Sequence, residues 1–292
     1  MSRGIRIAVA SGKGGTGKTT FAVSLAAVLA GQGVNVTYVD CDVEEPNGHV
    51  FLKPEIDSVT DVEMPVPEID LEKCTYCGKC SEICEYNAIA VLSDRVMVFP
   101  SLCHSCGGCY HICPEKAIRE VPRKIGELAV GSGQGVRFYE GRLNVGEAFS
   151  PPVTRALKRV VNWSEIALID APPGTSCPVV EAVKDADFAV MVTEPTPFGL
   201  HDLELAVKMA RALNLPIGVI INRFDIGDDR VEEYCRREKI DVLLRIPFDR
   251  GFAEAYSVGN MPLVGDPSYA DKLFALHRDI IGRIGNGRAG GS

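Results

Sequence analysis

Two groups of residues carry chemistry in their spacing. Gly12-Lys13-Gly14-Gly15-Thr16-Gly17-Lys18-Thr19 satisfies G-x-x-x-x-G-K-S/T, between an apolar run and a helical pattern. Glycines here let backbone N–H groups turn inward around phosphate oxygens, and the start of the next helix adds its positive dipole end. Lys18 is placed to reach the outer phosphates of a nucleotide and the Thr19 hydroxyl to hold Mg2+, with Thr20 following in the same turn. The second group is cysteine. Eight of the chain's 11 cysteines fall between residues 66 and 121: Cys74, Cys77, Cys80, Cys84, Cys103, Cys106, Cys109 and Cys113. Each run of four reads C-x2-C-x2-C-x3-C, a spacing for thiolate ligation of iron–sulfur clusters, with zinc as the competing metal.

The elements that must position these groups are legible as well. Six short apolar runs read as buried strands: Ile5–Ala10, Val34–Val39, Ile166–Ile169, Phe188–Thr193, Ile217–Ile221 and Val242–Ile246. Helical patterns such as Thr19–Ala30 and Leu203–Leu213 lie between them, which predicts right-handed crossovers and a parallel sheet covered on both faces. Ligands of such sheets bind beyond the carboxyl ends of the strands, where Ser11, Asp40, Asp170, Glu194, Asn222 and Pro247 stand. The alternation breaks between about residues 62 and 122, in the cysteine-bearing segment. Within it the first four cysteines recur 29 positions later, and Ile83, Ala88 and Ile89 recur at the same offset as Ile112, Ala117 and Ile118. Two copies of one small unit are therefore inserted into a larger domain.

Composition narrows the function classes. With 292 residues, 46% hydrophobic and 24% charged, the chain matches an ordinary globular protein of one or two domains. Lysine plus arginine is 31 against 39 acidic residues, a net charge of −8, so no nucleic-acid partner is expected. No apolar run reaches the ~18 residues of a membrane span, and the N-terminus lacks a signal-peptide pattern. A cytoplasmic setting and metal-bound cysteines, in place of disulfides, are the expectation.

The stretch GKGGTGKTT resembles the deviant phosphate loop of the MinD, ParA, Mrp and nitrogenase iron protein superfamily. The resemblance implies a P-loop ATPase using ATP and Mg2+, whose ATP-bound form is a homodimer in which Lys13 reaches the partner's phosphates. Asp40-Cys41-Asp42 looks like the superfamily's first switch and Asp170-Ala171-Pro172-Pro173-Gly174 like its second. By motif position, Asp42 orients the attacking water and Asp40 and Asp170 contact Mg2+, with Lys13, Lys18 and Asp42 as the catalytic set. Asn222-Arg223 and Ile246-Pro247-Phe248-Asp249 resemble the adenine-recognition segments, so Asn222, Arg223 and Pro247 join Gly12 through Thr20 as nucleotide contacts. Glu44-Glu45-Pro46-Asn47 departs from the usual continuation of the first switch.

The cysteine runs resemble those of bacterial two-cluster ferredoxins, the second ending in Cys113-Pro114 and the first carrying Glu85 in place of that proline. This implies two 4Fe–4S clusters with crossed ligation. Cys74, Cys77, Cys80 and Cys113 hold the first, and Cys103, Cys106, Cys109 and Cys84 the second. Tyr76, Tyr110, His104 and His111 lie beside ligands and read as packing or shielding groups. Cys41 and Cys177 flank the switches as single residues without ligand spacing.

Together these readings predict an α/β P-loop NTPase, its mostly parallel sheet covered by helices on both faces, carrying a small inserted bacterial-ferredoxin-like α+β domain. The expected division is 1–61 and 123–284 for the ATPase, 62–122 for the insertion and 285–292 for a flexible tail. Leu273, Phe274, Leu276, Ile280, Ile281 and Ile284 lie at helical spacing. Asp271 and Asp279 among the nearby cations argue for packing on the sheet over membrane binding. The expected function is nucleotide-gated electron transfer through the clusters to a redox partner. Alternatives are an iron–sulfur or metal-cofactor assembly ATPase of Mrp type, which would serve a cofactor-assembly partner, and a MinD/ParA-like positioning protein. Mrp relatives bind a transferable cluster through a C-terminal C-x-x-C, which this chain lacks.

Overall fold

A computed structural model describes residues 4–163 and 166–289. The chain runs β1 (Ile5–Ala10), α1 (Lys18–Gly31), β2 (Val36–Asp40), α2 (Gly48–Leu52) and β3 (Glu55–Ile69). The cysteine segment follows, with α3 (Lys79–Glu82), β4 (Ile89–Val91), β5 (Val96–Val98) and α4 (Gly108–Ile112). The chain returns through β6 (Ile118–Gly133), β7 (Val136–Leu143), α5 (Pro151–Val160), β8 (Ile166–Asp170), α6 (Cys177–Val183) and β9 (Phe188–Thr193). It ends with α7 (Pro197–Ala212), β10 (Ile217–Asn222), α8 (Arg230–Arg237), β11 (Val242–Ile246), α9 (Arg250–Ser257), α10 (Pro262–Gly265) and α11 (Pro267–Ala289).

Nine strands form one sheet in the order β11-β10-β9-β1-β8-β2-β7-β6-β3. The seven from β11 to β7 are parallel, and β6 and β3 join antiparallel. Alternate residues of β1 feed two cores: Ala8 and Ala10 face the helices α5 to α8, Ile7 and Val9 face α1 and α11. Helix α1 is apolar all round because it is buried twice, against the sheet and beneath α11. Leu273, Leu276, Ile280 and Ile284 of α11 lie in that core. Among the described residues, no helix is long and apolar enough to cross a membrane. Helix α11 continues to Ala289, so the flexible tail expected from residue 285 is helical over 285–289, and 290–292 lie outside the described residues.

The six expected strands are present, with β2 displaced to Val36–Asp40. Helix α7 begins earlier than its periodicity suggests, because Thr196 accepts the Gly199 N–H at 3.0 Å and Pro197 takes the first helical position. Strands β3, β6 and β7 were not expected. Pro65 pairs with Pro122, and prolines are tolerated there because residues 118–124 of β6 extend beyond β7 and pair with β3 alone. Gln134 (φ 52°) and Gly135 (φ 76°) form the two-residue hairpin between β6 and β7. The expected boundaries at 62 and 122 fall inside the β3–β6 ribbon, which runs from the large sheet to the cysteine segment with register shifts at Ile56/Ser58 and at Val62/Glu63.

Candidate functional site

The phosphate loop joins β1 to α1 at the carboxyl edge of the sheet, and two of its glycines are sterically required. A Cβ at residue 12 would lie 2.3 Å from the Asp202 carbonyl oxygen, and one at Gly17 (φ 92°) would lie 2.6 Å from Asn222 Nδ2. Asn222, expected to face adenine, also props the loop by donating from Nδ2 to Thr16 O at 2.9 Å. Thr16 Oγ1 is buried without a hydrogen-bond partner, an orphaned hydroxyl within a loop built to receive phosphate oxygens.

Lys18 is buried. Its Nζ donates to Asp170 Oδ1 at 2.9 Å, lies 3.4 Å from Thr19 Oγ1 and stands 3.9 Å from Asp42 Oδ2. The other Asp170 oxygen accepts the Tyr38 hydroxyl at 2.8 Å. Burial acts to lower the Lys18 pKa, but Asp170 overcomes it and the ammonium is held above its ordinary value. Burial, with Asp170 adding to it, pushes the Tyr38 hydroxyl well up. Asp40 is fully buried and accepts three backbone N–H groups: Asp42 at 3.2 Å, Asn47 at 3.2 Å and Gly48 at 2.9 Å. Burial and then Asp170 raise its pKa well above the carboxylate range against those bonds. A Cβ at residue 48 would lie 2.4 Å from the Tyr38 ring, so glycine lets the start of α2 close onto Asp40. Asp42 is pushed up to about 6 by burial, opposed by Lys18 and reinforced by Asp170.

A cleft of about 230 Å³ opens beside the loop, lined by Gly15, Gly17, Thr20, Asn222, Arg223 and Pro247 among others. The same cleft holds Phe248, of the segment expected at the adenine, together with Phe252 and Tyr256, which the sequence reading missed. The four-residue step from Phe252 to Tyr256 along α9 was the available signal. Tyr38 was also missed, since a tyrosine in an apolar strand reads as core, and Glu194 was noted only as a strand end. Glu194 lies 3.3 Å from Lys13 Nζ and 2.8 Å from Arg223 Nη1.

In the cysteine segment the 29-residue repeat is also a backbone repeat. Positive φ recurs at Tyr76 and Ser105, at Gly78 and Gly107, and at Asn87 and Lys116. Ala88 N donates to Cys84 Sγ and Ala117 N to Cys113 Sγ, both at 3.3 Å. Cys74, Cys77, Cys80 and Cys113 line one cavity; Cys84, Cys103, Cys106 and Cys109 line a second. The fourth thiol of each run thus stands with the first three of the other. Among the described residues, no three His, Cys, Asp or Glu side chains converge to hold a single metal ion. Burial and the neighbouring Cys103 and Cys106 push the Cys109 thiol up to about 11, against a hydrogen bond from Tyr110. A cavity of crowded thiols with N–H groups aimed at sulfur fits a cationic cluster that takes them as thiolates.

The segment also touches the large domain. His104 stacks between Tyr86 and Phe149, at centroid distances of 3.6 and 4.0 Å. Arg123 donates from Nη2 to Glu147 at 2.8 Å and to Pro100 O at 3.1 Å. Leu143 N, just before this loop, donates to Val43 O at 2.7 Å, one residue beyond Asp42. Tyr110 and His111 meet edge to face. Cys41 is fully buried and its thiol is pushed up by that burial, whereas Cys177 is exposed at the start of α6.

Comparison with known proteins agrees with this geometry. A family model described as the CobQ/CobB/MinD/ParA nucleotide binding domain matches residues 7–263. An uncharacterized protein of Methanocaldococcus jannaschii is 30% identical over 262 residues, 89% of this chain and 91% of its own length. A protein of Pyrococcus furiosus named iron-sulfur cluster carrier protein is 28% identical over 316 residues, 97% of this chain and 89% of its own. The septum site-determining protein MinD of Pyrococcus horikoshii, solved with Mg-ADP, superposes with a TM-score of 0.57 at 19% identity, covering 95% of this chain and 96% of that one.

Proposed function

The chain belongs to the CobQ/CobB/MinD/ParA nucleotide-binding family and is a P-loop ATPase of MinD/ParA/Mrp type; from that premise we propose that it couples ATP hydrolysis to electron transfer through two 4Fe–4S clusters to a partner protein. The observation that carries this reading is the pair of four-thiol cavities at the end of the β3–β6 ribbon, which enters just after α2 and leads back into β7, whose last residue Leu143 bonds Val43 beside Asp42. Thiols ringing a cavity suit a cube, which needs its ligands spread over its corners, better than a single tetrahedral ion. When bound, such clusters supply one-electron transfer.

The residues divide the work as follows. Lys18 neutralises the outer phosphates, and the loop N–H groups orient them. Thr19, Asp40 and Asp170 would hold Mg2+, which would neutralise charge on the phosphates. Asp42 orients the attacking water from the end of the first switch. Lys13 crosses a nucleotide-bridged homodimer to the partner's phosphates. Gly12, Gly14, Gly15, Thr16, Gly17 and Thr20 line the phosphates; Asn222, Arg223 and Pro247 face the base. Cys74, Cys77, Cys80 and Cys113 ligate one cluster, and Cys103, Cys106, Cys109 and Cys84 the other. The ATPase comprises about 1–61 and 123–284, the insertion 62–122, and the setting is the cytoplasm.

Anaerobic purification tests the metal: about eight irons with matching labile sulfide per chain are expected. Stoichiometric zinc without sulfide would overturn the cluster assignment. Midpoint potentials and partner affinity, each measured with ADP and with a non-hydrolysable ATP analogue, test the coupling. Values that do not change with nucleotide in either measurement would refute gated transfer. A second reading, cluster delivery to acceptor proteins, is favoured by the relatives named iron-sulfur cluster carrier protein. Loss of iron to an apo acceptor on ATP addition would select it over electron transfer.

A further inference from the structure

Glu194 follows β9 and is fixed from the backbone outward. Its carbonyl accepts the Thr196 N–H at 2.8 Å, and a Cβ at Gly199 would sit 2.2 Å from that same oxygen. Thr193 Oγ1 binds Gly199 O at 3.0 Å, which ties the end of β9 to the start of α7. The carboxylate is therefore held in one place, with its side chain 10% exposed. It meets two cations that the nucleotide reading assigns elsewhere: Lys13 of the phosphate loop on Oε2 and Arg223 of the cleft on Oε1.

The two pairs are not equivalent. Arg223 is the closer, at 2.8 Å, whereas Lys13 stands at 3.3 Å; the two side chains are 42% and 34% exposed, so distance and not burial separates them. If Lys13 departs, Glu194 keeps Arg223, so a nearly buried carboxylate is never left without a partner. A lysine that is to reach a second chain's phosphates must first leave its own chain's carboxylate. We propose that Glu194 is a positioning residue that holds Lys13 back on its own chain and sets the ATP level at which the lysine is released to the partner copy. The proposal rests on the in-trans role of Lys13 given above and adds the group that opposes it.

The test is self-association of the full chain, measured by light scattering while a non-hydrolysable ATP analogue and Mg2+ are titrated in. Glu194→Gln keeps the side-chain shape and an acceptor for Arg223 but removes the charge. Half-maximal association should need about fivefold less analogue, the scale of one partly exposed ion pair. Glu194→Asp, which retains the charge and withdraws the carboxylate, should shift it the same way by less. In a Lys13→Ala background Glu194→Gln should shift nothing, whereas in an Arg223→Ala background the shift should persist. A general structural effect of Glu194 would appear in both backgrounds. A wild-type chain that stays monomeric at saturating analogue would overturn the in-trans dimer and this proposal together. A dimer that forms normally, with Glu194→Gln unshifted or shifted equally without Lys13, would overturn this proposal alone.

Discussion

Replacing Asp42 with Asn should stabilise the nucleotide-free chain at neutral pH while abolishing its hydrolysis. The Asp42 side chain is 16% exposed, and burial pushes its carboxyl up to about 6 although Lys18 is 3.9 Å away. In the unfolded chain the same group titrates near its ordinary value of about 4. Between those values the folded chain holds a proton that the unfolded chain has released. This group's contribution is therefore most favourable below about pH 4, is lost as the pH rises through about 6, and is a constant penalty above that. The whole shift corresponds to about 3 kcal/mol, and solvent screening of a partly exposed group reduces it to about 1–2 kcal/mol. Asn carries no charge to desolvate, and Lys18 remains paired with Asp170 at 2.9 Å. Thermal unfolding under anaerobic conditions, without nucleotide or Mg2+, should place Asp42→Asn about 2–4 °C above wild type at pH 7.5. The gap should close toward pH 4.5. An equal or lower midpoint at pH 7.5, or a gap that ignores pH, would refute the burial argument. Hydrolysis should fall by about 100-fold or more, as expected when a group that positions water is lost.

Tyr38→Phe should cost about 1–3 kcal/mol of stability in a chemical-denaturation measurement, because fully buried Asp170 loses one of its two hydrogen-bond donors. Cys113→Ser should disturb the iron centre held with Cys74, Cys77 and Cys80 and spare that of Cys103, Cys106 and Cys109. Iron analysis with paramagnetic resonance of the two centres would read this, and loss of the neighbouring run's centre would contradict the crossed partition. Lys18→Ala should weaken ATP binding itself, while Lys13→Ala should leave binding measurable and remove hydrolysis. A fluorescent-nucleotide titration beside a phosphate-release assay separates the two, and equal loss of binding in both variants would count against Lys13 acting in trans.

What the sequence made legible is what neighbouring residues supply together. Buried parallel strands are short apolar runs, so β1, β8, β9, β10 and β11 stood out, and the phosphate loop and cysteine runs are contiguous motifs. The β3–β6 ribbon was illegible because its residues serve an edge. Residues 55–61 of β3 are exposed, charges interrupt them, and prolines sit where a central strand would forbid them. The site was hidden wherever strand order, in place of sequence, brings groups together. Strand β1 lies between β8 and β9, so the loop after it is flanked by the carboxylates at those two strand ends. Lys18 turns to Asp170 after β8 and Lys13 to Glu194 after β9, across 152 and 181 residues of sequence respectively. Each of the loop's two lysines is thus neutralised by the carboxylate that ends a neighbouring strand. An incoming polyphosphate must compete with a carboxylate for each lysine, and it does so on unequal terms. Asp170 keeps the Tyr38 hydroxyl when Lys18 turns away, and Glu194 keeps Arg223 when Lys13 does. Both exchanges leave a buried carboxylate satisfied, which is what allows a loop with two paired lysines to bind nucleotide reversibly.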